Sequence, residues 1–77
     1  MSADKLVRMA NQIAGFFATQ PGDAGAASVG GHINDNWAPP MRLELLDLIV
    51  RQDADLHPLV IAAASHIRKP KPAATSG

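Results

Sequence analysis

The 77-residue chain has no cysteine and no tyrosine, one tryptophan, and no net charge, with seven basic residues set against seven acidic ones. Each shortage excludes something. Without cysteine there are no disulfide staples, thiolate metal sites or cysteine-held iron–sulfur clusters, so stability must come from helix packing or from another protein. Neutral charge removes the basic footprint of a nucleic-acid binder. The longest purely apolar runs are only a few residues, far short of the ~20 needed to span a bilayer. The opening MSADKLVRMANQ also lacks the uninterrupted apolar core and cleavage site of a secretory signal. The expectation is a soluble, unexported, cytoplasmic chain that meets neither membrane nor nucleic acid.

What is present is helical patterning. From Ser2 to about Thr19, Leu6, Met9, Ile13 and Phe16 form one stripe with Val7, Ala10, Ala14 and Phe17 beside it, and Ser2 can cap the start. Arg8, Asn11, Gln12, Gly15 and Thr19 make a narrow polar stripe, so this helix is expected to be covered over more than half its circumference. Pro21 stops it, and Asp23 is placed to cap a second helix, about Ala24 to Trp37, with Ala26, Val29, Ile33 and Trp37 on one face. Three glycines weaken that segment, each by up to about 1 kcal/mol relative to alanine. Gly30 and Gly31 are expected to admit another backbone, or else to mark a kink.

Pro39 and Pro40 break the chain, and Pro40 suits the first turn of a third helix running to about Gln52. In MRLELLDLIV seven of ten residues are large and apolar, with Glu44, Asp47 and Arg51 along one edge and an i,i+4 pair available to Asp47 and Arg51. Pro58 starts a fourth helix through VIAAASHIR to about Arg68. The end, KPKPAATSG, has two prolines and no large apolar side chain and is expected to be disordered. The fold class is therefore all-α: a small single domain of three to four short helices over residues 1–68, followed by a disordered C-terminal tail, 69–77.

No constellation of residues supports catalysis. His32, His57 and His66 have no metal-binding spacing, Ser2, Ser28, Ser65 and Ser76 fit no nucleophile pattern, and the glycine-rich stretch 22–31 fits no phosphate-binding motif. His57 is read as helping the fourth helix begin and His66 as lying near its end. No catalytic, cofactor-binding or metal-binding residue is assigned. The affirmative signal is apolar excess. Apart from Met1 the chain carries twenty-one Leu, Ile, Val, Met, Phe and Trp residues, more than a four-helix miniature readily hides, and exposed patches of this kind mark protein interfaces. Self-association of the isolated chain is the alternative use of the same surface.

The stretch His32 to Arg42, HINDNWAPPMR, focuses that reading, because Trp, Met and Arg are enriched at interface hot spots. His32, Trp37, Pro39, Met41 and Arg42 are taken as candidate partner-binding residues. Trp37 could equally centre the chain's own core.

Two pieces, RMANQIAGFF (Arg8 to Phe17) and the HIxxxWxPxMR arrangement of His32 to Arg42, with a PGD turn and LHPLV, closely resemble the small delta subunit of NAD-dependent, molybdenum-containing formate dehydrogenases. The resemblance covers roughly residues 4 to 64. Asn36 stands where that pattern has a large aromatic residue, and Pro40 where it has a more polar one. The resemblance implies a non-catalytic accessory subunit of a cytoplasmic complex in which larger subunits oxidise formate to carbon dioxide and reduce NAD. Those subunits would carry the molybdenum cofactor, iron–sulfur clusters and FMN, and this chain none. The expected partner is a larger formate dehydrogenase subunit, the molybdenum-bearing one above all. The rival readings are a transient maturation chaperone for that subunit and a free-standing regulatory or nucleic-acid-binding module using Arg68, Lys69 and Lys71.

Overall fold

The computed structural model describes residues 2–21, 23–52 and 54–70. Within them the chain forms helices α1 (Ala3–Phe17), α2 (Ala24–Asn36), α3 (Pro39–Arg51) and α4 (Pro58–Ala63), the last continued by a 3-10 turn, Ala64–His66. The described residues include no strand. The expected all-α class is what forms.

Local chemistry sets most boundaries. Ser2 caps α1, its hydroxyl accepting a hydrogen bond from the Lys5 amide at 3.3 Å, and Asp4 places a negative charge in the first turn. The expected Asp23 side-chain cap does not form. Asp23 has helical angles (φ −80°, ψ −3°), so its carbonyl takes the Ala27 amide at 3.0 Å while its side chain bonds no backbone amide. The Gln20 side chain closes the same turn by accepting from the Ser28 hydroxyl at 2.8 Å. Both Pro39 and Pro40 lie in the first turn of α3, one residue earlier than expected, since neither needs an amide donor there. α3 ends at Gln52, which takes the left-handed conformation (φ 58°) more usual for glycine. His57 starts α4, its Nδ1 accepting from the Leu59 amide at 3.0 Å ahead of Pro58. Asp47 and Arg51 pair at 3.2 Å, both more than half exposed, and such a pair contributes about 0.3–0.5 kcal/mol.

The core is one cluster: Leu6, Ala10 and Ala14 from α1, Val29 and Ile33 from α2, Trp37 after it, Leu45 and Leu48 from α3, then Val60, Ala63 and Ile67. The α2 face expected from the sequence is all buried, Ala26 included. On α1 the expected pair of stripes divides differently. Leu6, Ala10 and Ala14 are buried, whereas Phe16 is 78% exposed. Alanine at positions 10 and 14 draws the other helices close, and the larger side chains flank the contact.

Two departures share one cause. The fourth helix was expected to run to about Arg68, but the α-helix stops at Ala63 and tightens into the 3-10 turn, and Ile67 is extended. At that point α2 intervenes. A Cβ added to Gly30 would lie 2.4 Å from the Cβ of His66, so the two backbones meet where only glycine fits. Asn34, one turn later on α2, then accepts from the Arg68 amide at 2.7 Å and donates to the His66 carbonyl at 2.9 Å. Tertiary bonds thus take backbone groups that a longer helix would pair within itself, and Ile67, 6% exposed, is turned into the core. The close approach belongs to Gly30 and not to Gly31, where an added Cβ would meet no other part of the fold within 4 Å. Of the expected tail, Lys69 and Pro70 form no helix, and residues 71–77 lie outside the described residues.

The adjacent glycines should therefore respond with opposite sign. Gly30→Ala forces overlap with backbone atoms and should cost about 1–3 kcal/mol, whereas Gly31→Ala should gain up to about 1 kcal/mol from helix propensity. Urea titrations of the two variants check the pair.

Candidate functional site

The two sequence pieces singled out above converge on one groove of about 550 Å³. RMANQIAGFF supplies Met9, Gln12, Ile13, Phe16 and Phe17 from the last turns of α1. HINDNWAPPMR supplies His32 and Asn36 from the end of α2, then Trp37 and Met41. Helical spacing explains the first set, since positions 9, 12, 13, 16 and 17 recur at intervals of three and four on one face. The proline-set joint explains the second: α2 ends at Asn36, Trp37 is extended, and Met41 returns on the first turn of α3.

The groove is apolar with a polar rim. Trp37 forms its inner wall and is only 5% exposed, because most of its ring belongs to the core. Phe16 stands at the opening, edge-on to Phe17 with ring centroids 5.0 Å apart. The exposed His32 ring is tilted against Phe17 at 6.3 Å. Asn36 turns its amide back to the His32 carbonyl at 2.9 Å. Two methionines, unbranched and polarisable, border the space and can adapt to the shape of an incoming side chain.

Of the five candidate partner-binding residues, His32, Trp37 and Met41 line this groove and Pro39 and Arg42 do not. Pro39 is exposed at the start of α3. Arg42 is half-buried and engaged within the chain, with Nη1 donating to the Trp37 carbonyl at 2.9 Å and Nε to the Arg68 carbonyl at 3.1 Å. The Trp37 carbonyl takes this side-chain partner where Pro40 has no amide to offer and the Met41 amide is taken by the Ala38 carbonyl.

Two asparagines organise the irregular segments, Asn11 from the polar stripe of α1 and Asn34, to which the sequence pattern gives no role. Asn11 accepts from the His57 amide at 2.8 Å and donates to the Asp55 carbonyl at 2.9 Å, fixing the irregular segment before α4. Asn34 does the same for the segment after it. The available signal was residue type. Asparagine is a poor residue for a helix interior, and one placed there with no cap to make has a reason outside its own helix.

Among the described residues no group of three His, Asp or Glu side chains could hold a metal ion, and the sequence offers no cysteine for an iron–sulfur cluster. No described helix is long and apolar enough to cross a membrane.

The model of a family described as NADH-dependant formate dehydrogenase delta subunit FdsD matches residues 5–65. The chain belongs to this family. The match takes in α2, α3 and α4 of the delta-subunit chain, α1 from Lys5 onward, and both walls of the groove. No curated protein matches the chain.

Proposed function

We propose that this chain is a non-catalytic accessory subunit that docks on a larger subunit of a cytoplasmic, NADH-dependent formate dehydrogenase and stabilises the assembled enzyme. Family membership supports the kind of complex. The observation that carries docking is the groove: both family-resembling pieces converge on it, and Phe16 stands 78% exposed at its mouth. Burying such a side chain contributes about 1.5–3 kcal/mol, which a partner surface can supply and the chain alone does not. The partner in this reading is the molybdenum-bearing subunit. Formate oxidation, electron transfer and every cofactor then belong to other chains, and this one acts by binding.

Affinity purification of the tagged chain from native extract, with mass spectrometry of what accompanies it, tests the reading. Larger formate dehydrogenase subunits should appear in stoichiometric amount in the active enzyme and persist through moderate salt. Presence only on immature, cofactor-free subunit would instead indicate a transient maturation chaperone. Retention on nucleic acid that falls steeply with salt would indicate the basic-tail module.

A further inference from the structure

We infer that Asn34 and Arg42 are positioning residues that couple the segment His66–Arg68 to the inner wall of the groove. Asn34 holds that segment by two hydrogen bonds, at 2.9 Å to the His66 carbonyl and 2.7 Å from the Arg68 amide. The Arg42 guanidinium then spans from the Arg68 carbonyl to the Trp37 carbonyl. Gly30 lets the segment lie directly on α2, and Ile67 enters the core cluster that also holds Trp37.

The arrangement follows from the Pro-Pro break. A carbonyl at a helix end needs a donor from outside the helix ladder, and of the two residues placed to donate back to the Trp37 carbonyl, Pro40 has no amide and Met41 gives its own to Ala38. The Ala38 carbonyl already takes the Met41 and Arg42 amides, at 2.9 and 3.1 Å. For Trp37 the donor is the Arg42 side chain, whose other arm is occupied by the segment. A planar fork reaches both carbonyls at once in fixed geometry, which a lysine ammonium on a flexible stem does not. When the segment is latched, Trp37 is held against the core and the groove has its inner wall; when the latch opens, Trp37 loses the bond that fixes its extended backbone. The role of this coupling in docking rests on the groove being the docking surface.

Trp37 is the only tryptophan and the chain has no tyrosine, so its fluorescence reports this wall without competing signals. The test uses the full chain carrying Asn34→Ala, Arg42→Lys or, as control, Asn11→Ala. The control removes a clamp of equal bond number on a different segment, residues 55–57. Helical content by far-UV circular dichroism is checked in each. Asn34→Ala and Arg42→Lys should red-shift the emission, raise acrylamide quenching severalfold and weaken retention on the larger subunit, while Asn11→Ala leaves quenching and retention as in the wild type. If Asn34→Ala fails to fold, Arg42→Lys, which keeps charge and stem, decides alone. Unchanged quenching in the latch variants, an equal rise in Asn11→Ala, or raised quenching with undiminished retention overturns the inference. Failure of the docking reading looks different: the wild-type chain itself is not retained, while the quenching differences persist.

Discussion

Trp37→Ala should remove about half or more of the folding stability of the isolated chain at 25 °C. Removing a buried aromatic side chain costs about 3–5 kcal/mol. A domain with this few ordered residues has about 3–10 kcal/mol to lose at 0.05–0.15 kcal/mol per residue. The ring is 5% exposed and packs in the cluster that joins α1, α2, α3 and the segment after α4, so no neighbouring element can close the gap alone. Trp37→Phe, which keeps an aromatic ring there, should cost less than about 2 kcal/mol. Urea unfolding followed by circular dichroism checks both, and a Trp37→Ala transition within about 1 kcal/mol of the wild type would contradict the placement of the ring. The consequence for function is direct. The sequence suggested that Trp37→Ala or Arg42→Ala would weaken association by removing partner contacts, but both side chains are engaged within the chain, so their loss acts first on the fold.

Periodicity revealed the helices because each buries a stripe at three- and four-residue spacing, and the α2 face of Ala26, Val29, Ile33 and Trp37 is buried as its pattern implies. Caps and breaks that depend on one residue and its own backbone were also legible: Ser2, His57, and the Pro39-Pro40 joint. What pattern did not show was every feature set by residues distant in sequence. The shortened α4 is decided by Gly30 and Asn34, more than thirty residues upstream of the segment they meet. Asn11 looked like part of a solvated stripe until its partners, 44 and 46 residues away, were in place. Gly30 and Gly31 are indistinguishable by type, and only the packing of α2 against His66 separates them.

The candidate site divides in the same way. HINDNWAPPMR stood out by composition, and three of its five candidates do line the groove. The opposite wall, Met9 to Phe17, belongs to a helix expected to be covered over more than half its circumference, with nothing in the pattern to say which part a groove would use. Its excess has a plain physical origin: α1 packs through Leu6, Ala10 and Ala14, so the bulk beside them is left for the groove.

Phe16 therefore separates docking from folding where Trp37 cannot. Its ring is 78% exposed and its one ring contact is the edge-on approach to Phe17, so Phe16→Gln, which keeps a good helix former, should change the stability of the isolated chain by no more than about 1 kcal/mol. An aromatic anchor in an interface is worth about 2 kcal/mol or more on truncation, equivalent to about thirtyfold in Kd. Val50 gives the matching control, equally exposed at 78% but on α3 and away from the groove. The decisive measurement is the affinity of the folded wild-type, Phe16→Gln and Val50→Gln chains for the purified larger formate dehydrogenase subunits. Loss of binding by Phe16→Gln with Val50→Gln close to the wild type is the predicted result. Wild-type affinity in Phe16→Gln, with both variants folded, would contradict the groove as the docking surface.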